Sequence, residues 1–113
     1  MRIRKLRRRS EDDSQERYLQ DKLVIPAARE LGWLVYHTHD SRRSGEGFPD
    51  LTLVRHGRGP TWLIFAELKA PGKQPTPVQR AWLALLDKPA SGVRSYLWRL
   101  ADWDNGSILE ALR

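Results

Sequence analysis

The sequence predicts an α/β fold, a small mixed β-sheet flanked by helices, and three observations carry that prediction. Apolar residues recur at helical spacing near the start (Leu19, Leu23, Ala27, Leu31) and again over Val78–Leu86. Four short runs rich in β-branched and aromatic residues lie elsewhere: Trp33–His37, Leu51–Val54, Trp62–Ala66 and Val93–Arg99. Between the second and third runs, Arg55-His56-Gly57-Arg58-Gly59-Pro60 has the glycines and proline of a tight turn. The expected order is helix, strand, strand, strand, helix, strand, helix.

The first helix starts at Ser10-Glu11-Asp12-Asp13, which has the form of a capping box with acids in the first turn; Ser14 is a second possible cap. Pro26 should kink this helix or divide it, and Gly32 ends it. Trp33–His37 is the first strand, and the polar loop Asp40–Gly47 follows. After the hairpin, Ala70–Pro75 is a loop. Thr76-Pro77-Val78-Gln79 is a capping box with proline at the first helical position. The stripe Val78, Ala81, Trp82, Leu85, Leu86 gives that helix its expected apolar face. In the last strand Tyr96 and Trp98 share one face and Leu97 takes the other. Trp103 packs as core, and a short helix near Ser107–Leu112 completes the fold.

Composition narrows the function. A chain of 113 residues suits one domain with a single core, and 40% hydrophobic residues with five tryptophans argue against disorder. The chain has no cysteine, which excludes disulfides and thiolate zinc sites and fits a reducing cytoplasm. No apolar run approaches the ~20 residues of a membrane span. The basic N-terminus has no apolar segment behind it, so no secretory signal is expected.

The net charge of +6 is unevenly placed. Residues 1–9 hold Arg2, Arg4, Lys5, Arg7, Arg8 and Arg9 without an acid. Removing these six from 20 basic residues leaves 14, which balance the 14 acidic ones. Residues 1–10 therefore read as a flexible basic arm appended to a formally neutral domain, 11–113. Such an arm suits DNA phosphates, and a solvated tail is the alternative.

The chemistry gathers at Gly47-Phe48-Pro49-Asp50 and Glu67-Leu68-Lys69. Folding the hairpin about Arg58 and Gly59 sets Asp50 opposite Glu67. Strand alternation puts Glu67 and Lys69 on one face and Leu68 on the other. Two carboxylates and an ammonium then converge at one hairpin end. Hard oxygen ligands of this kind suit Mg²⁺, with Mn²⁺ as a substitute, and a neighbouring lysine can position or deprotonate the attacking water. Glu16 and Gln20 lie four apart on the first helix, in line with its apolar stripe, so Glu16 can reach the sheet edge; a solvated helix glutamate pairing with a neighbour such as Arg17 is the alternative, and Glu11 is the competitor. Arg42 and Arg43 are placed to meet a phosphate, with a mobile surface loop as the alternative, and Lys73 is a further candidate whose alternative is a solvated loop lysine. His37 and His39 lack further ligands for zinc and read as packing or supporting contacts.

The ordered set of Glu16 with Gln20, Gly32-Trp33, Gly47-Phe48-Pro49-Asp50-Leu51, Glu67-Leu68-Lys69, Thr76-Pro77 with Gln79, and Trp98 resembles the VRR-NUC family of the PD-(D/E)XK nuclease superfamily. These are small phage and bacterial nucleases related to the nuclease domain of the Fanconi-associated nuclease. The resemblance implies a restriction-endonuclease-like core and a Mg²⁺-dependent DNA endonuclease, selective for branched DNA or four-way junctions. It also implies a homodimer, in the cytoplasm of a bacterial or phage-infected cell, with no membrane partner. Asp50, Glu67 and the Leu68 carbonyl would hold the metal, with Glu16 as a third carboxylate. Lys69 would serve the water, and Gln79 would stand near the site unless its role is only to cap its helix. Two other readings compete: a non-catalytic DNA-binding module on the same fold, and a Glu67–Lys69 surface ion pair of little energetic value.

Overall fold

A computed structural model describes residues 9–39 and 45–113. Its strands β1 (Leu34–His37), β2 (Leu51–His56), β3 (Thr61–Leu68) and β4 (Val93–Trp98) form one sheet in the order β1-β2-β3-β4. The first two pairings are antiparallel, and β3 pairs with β4 in parallel. The sheet is therefore mixed, as expected, and has the restriction-endonuclease-like α/β form. The parallel pairing requires a crossover, and helix α3 (Pro77–Leu86) supplies it.

In the hairpin, partners run from His56 opposite Thr61 to Leu51 opposite Ala66. The next pair outward is Asp50 with Glu67, as the turn position predicts. Leu51, Leu53, Ile64, Ala66 and Leu68 are all buried on one face. They meet Leu19, Val24, Ala28, Trp33, Ile108 and Leu112 to form the core. Burying each such large side chain contributes about 1.5–3 kcal/mol before entropy is counted. On the opposite face Phe65 meets Phe48 edge-on at 5.9 Å, and Phe48 meets Trp82 of α3 at 5.1 Å.

The N-terminal helix departs from expectation. It neither starts at a Ser10 cap nor divides at Pro26. Helix α1 (Arg9–Tyr18) already includes Ser10 and Ser14, and it continues through a π-wound segment, Leu19–Val24, into α2 (Ile25–Glu30). The Ile25 N–H donates to the Gln20 carbonyl, five residues back. Pro26 has no N–H for the Lys22 carbonyl, and its ring would crowd that carbonyl in α winding; the wider π turn avoids the conflict. The extra residue shifts the apolar stripe. Leu19, Val24 and Ala28 are fully buried, whereas Leu23 and Ala27 only pack against the core and Leu31 is exposed.

Helix α3 is also rotated from its expected face. Val78 and Leu85 are exposed, Leu85 at 72%, and Trp82, Leu83 and Leu86 turn inward with Gln79. The Trp82 indole N–H donates to the Glu46 carbonyl at 2.9 Å, a long-range bond that fixes this rotation. Tyr96 and Trp98 stack on one face of β4, and Trp103 packs against the core, both as expected. Two short helices, α4 (Leu100–Asp104) and α5 (Ser107–Leu112), close the fold. Trp33, which precedes β1, donates its indole N–H to the Leu112 carbonyl at 2.9 Å and so holds α5 in place. No helix among the described residues is long and apolar enough to cross a membrane.

Candidate active site

Asp50 sits at the foot of β2, and the chain around it is fastened from β1. Thr38 donates its N–H to the Asp50 carbonyl and its hydroxyl to the Pro49 carbonyl, both at 2.9 Å. The side chain is fixed from β3: Asp50 Oδ2 accepts the Leu68 N–H at 2.8 Å. Across the hairpin Glu67 is only 3% exposed and Lys69 only 6%. The Lys69 Nζ lies 3.7 Å from Glu67 Oε2, and the Lys69 N–H bonds the Trp98 carbonyl of β4 at 3.0 Å. Alternation sends the Leu68 side chain into the core while Glu67 and Lys69 stay together. Their burial leaves little of the solvated surface ion pair that the sequence also allowed.

Glu16 approaches from α1. Its Oε2 accepts the Ala70 N–H at 2.9 Å and lies 3.9 Å from Lys73 Nζ. Glu11 is exposed. Arg99 holds the loop on which Glu16 docks, donating from Nη1 to the carbonyls of Ala70 at 3.1 Å and Lys73 at 2.7 Å. Thr38 and Arg99 carry no local sequence signal. Their contacts depend on strand registers that join distant segments.

The electrostatics follow from this crowding. Burial raises the Asp50 carboxyl above its usual range, against the Leu68 N–H, which lowers it; the charge of Glu16 raises it further, and Lys69 and His37 oppose. Burial, then the charge on Asp50, push Glu67 up to about 8, against the Lys69 ammonium. Glu67 Oε1 is buried without a hydrogen-bond partner. An orphaned buried carboxylate oxygen is costly unless a cation or proton satisfies it.

A cleft of about 460 Å³ opens beside these groups, on the α3 side of the sheet. Asp50 and Glu67 form its floor, and Glu46, Gly47, Phe48 and Gln79 form its walls. Gly47 has φ +79°, and a Cβ there would meet Val78 Cγ1 at 2.6 Å, so only glycine lets this loop lie against α3. Gln79 has both attributes in view from the sequence. Its Oε1 accepts the Thr76 N–H at 2.9 Å in the capping box, and it lines the cleft.

The remaining predicted residues are placed elsewhere. Lys73 stands beside Glu16, 37% of its side chain exposed. Arg42 and Arg43 lie outside the described residues, as do Arg2, Arg4, Lys5, Arg7 and Arg8; Arg9 opens α1. His37 and His39 meet edge-on at 4.6 Å between ring centres and line a separate groove. Among the described residues no group of three or more histidines and carboxylates could hold a metal ion. Asp50 and Glu67 thus stand at the cleft as two carboxylates, and Glu16 is engaged with the Ala70 loop.

The family model of the VRR-NUC domain matches residues 6–101. The chain belongs to the VRR-NUC family. No curated protein and no solved structure matches it. The VRR-NUC domain is a nuclease domain of the PD-(D/E)XK superfamily and acts on DNA. In this VRR-NUC chain the match covers α1, all four strands and α3. It thus includes every residue that meets at the hairpin end.

Proposed function

We propose that this VRR-NUC domain is a Mg²⁺-dependent endonuclease, selective for branched DNA, that works as a homodimer. The observation that carries the metal is the orphaned Glu67 Oε1 beside Asp50. Two crowded, buried carboxylates need a countercharge, and oxygen donors without cysteine favour a hard divalent ion. Asp50 and Glu67 would hold it, with the Leu68 carbonyl as a further donor. When bound, the ion supplies polarisation of the scissile phosphate and a lower pKa for the attacking water.

The chain's own residues do the rest. Leu68 N–H holds Asp50 Oδ2 in one orientation, and Thr38 fixes the backbone beneath it. The Lys69 ammonium, beside Glu67, orients the water and offsets charge developing on the phosphate. Deprotonation of that water by Lys69 is second choice, because two carboxylates favour the ammonium. Glu16 braces the Ala70 loop and would contact a bound ion through water. The basic arm, with Arg42, Arg43 and Lys73, follows DNA phosphates. One small domain offers one site and a duplex has two strands, which supports the dimer that the family resemblance implies.

The test is a cleavage panel of hairpin, flap, splayed-arm, four-way-junction and linear DNA. Cleavage of branched forms is expected with Mg²⁺ or Mn²⁺, with binding alone in Ca²⁺. Full activity in excess EDTA removes the metal. Equal cutting of linear duplex removes the selectivity.

A further inference from the structure

A second groove lies on the other side of the sheet from the cleft, between the π segment with α2 and the outer strand β1. Its volume is about 500 Å³, within the range that small ligands occupy. Asp21, Ile25 and Arg29 line it from the helix, Val35, Tyr36 and His37 from β1, and His39 from just beyond the strand. The helix residues recur every four positions and so present one face; on the other wall Val35 and His37 share a strand face, and the exposed Tyr36 lies at the rim between them. The shifted helical phase after Leu19 is what brings the helical set over β1.

This lining is mixed in a particular way. Ile25 and Val35 offer apolar contact. The imidazoles of His37 and His39, set edge-on, offer N–H and aromatic surface. Arg29 is an exposed cation and Asp21 an exposed acceptor that also takes the Gln20 side-chain amide at 3.1 Å. Among the described residues the two histidines join no group of three or more potential metal ligands.

The groove adjoins the carboxylates. His37 pairs with Leu51, the residue after Asp50, and Thr38 bonds the Asp50 carbonyl. One strand spacing and one residue rise separate the His37 and Asp50 backbones by about 6 Å. The groove opens on the face opposite the Asp50 side chain, so a DNA strand held at Asp50 reaches it by turning past the Thr38 end of β1.

We propose that this groove binds one unpaired nucleotide of the DNA strand next to the cut. Its base lies against Ile25, Val35 and the imidazoles, Asp21 accepts from its amino or imino edge, and Arg29 meets its phosphate. A base paired in duplex cannot enter such a groove without being unstacked. The groove thus gives a physical source for preference toward splayed or flapped DNA. The proposal rests on the reading of the chain as a DNA nuclease, and its test does not use cleavage.

Binding is measured by fluorescence anisotropy on the full chain in EDTA, against a splayed-arm DNA and a fully paired duplex of equal length. The variants are Arg29→Ala, His39→Ala and the double substitution, all at exposed positions, with unchanged circular dichroism melting as the folding control. The double variant should lose roughly 5- to 150-fold in affinity for the splayed arm, the scale of one stacked base, and less than about twofold for the duplex. Equal losses on both DNAs, or none on either, overturn the proposal. An independent measurement uses the unsubstituted chain. 5-Iododeoxyuridine at the first unpaired position should photo-cross-link to the peptide holding His37 and His39, and cross-links confined to other peptides overturn the proposal. A chain that cuts no DNA would refute the nuclease reading while leaving this binding comparison intact.

Discussion

Glu67 is where pH acts on this domain. Its carboxyl titrates near 4.5 in the unfolded chain and at about 8 in the folded one. Between those values the folded state holds more protons, so stability falls as pH rises. The contribution is fully present below the unfolded value and lost as pH passes through the folded one. Asp50 is shifted in the same direction. In EDTA the melting temperature should therefore fall from about pH 5 to about pH 8, and Glu67→Gln should remove most of that slope. A slope unchanged by the substitution would detach it from Glu67. Since a bound cation must displace the Glu67 proton, Mg²⁺ should raise the melting temperature more at the alkaline end. Catalysis is tested at the same residues. Asp50→Asn, Glu67→Gln and Lys69→Ala should each slow single-turnover cleavage by more than ~100-fold, beyond the roughly 10–100-fold expected of a supporting partner. Glu16→Gln, which braces through Ala70, should fall within that supporting range. Wild-type cleavage by any of the first three removes it from the mechanism.

At the scale of elements, the loop before β2 depends on α3. Gly47→Ala forces a side chain into positive φ and onto Val78 at once. It should cost about 1–3 kcal/mol of stability and reduce cleavage together. Unchanged melting and activity would show that the loop does not need its contact with α3. The elements also show where sequence reading succeeds. The hairpin was legible because Gly57, Gly59 and Pro60 fix its turn, and counting outward from Arg58 and Gly59 pairs Asp50 with Glu67. The phases of the two long helices were not. In α3 the expected stripe and the half-buried one share Trp82 and Leu86, and the choice between them lies with Trp82's bond to the distant Glu46 carbonyl. In the N-terminal helix Pro26 announced a disturbance, but not that one π-wound segment would absorb it and move burial from Leu23 and Ala27 to Val24 and Ala28. Thr38 and Arg99 were hidden for a related reason, since each acts on backbone that only the β1–β2 and β3–β4 registers bring near.

At the scale of the whole molecule, a single site per chain predicts two chains per cut duplex. Light scattering should give twice the monomer mass with or without DNA; a monomer in both conditions would favour nicking. The arm is tested by a truncation that stops short of α1. Removing residues 1–8 deletes Arg2, Arg4, Lys5, Arg7 and Arg8. If all five meet phosphates, the slope of log affinity against log salt should flatten by up to ~4.5, about 0.9 per contact. Turnover at saturating DNA and low salt should stay near that of the full chain, and equal slopes would leave the arm a solubility tail. The hairpin has a further consequence for the molecule as a whole. Its carboxylates stand at the open end, and its turn stands six residue pairs away, at the other end of the sheet. Gly57 is locked there, because a Cβ would strike the Trp62 indole, whereas a Cβ on Gly59 would meet nothing within 4 Å beyond its chain neighbours. The bond between Arg58 and Gly59 is thus a natural splice point. A reporter or a second recognition module inserted there would add mainly loop-closure entropy, about 0.6 kcal/mol for each doubling of length, and leave the cutting end untouched.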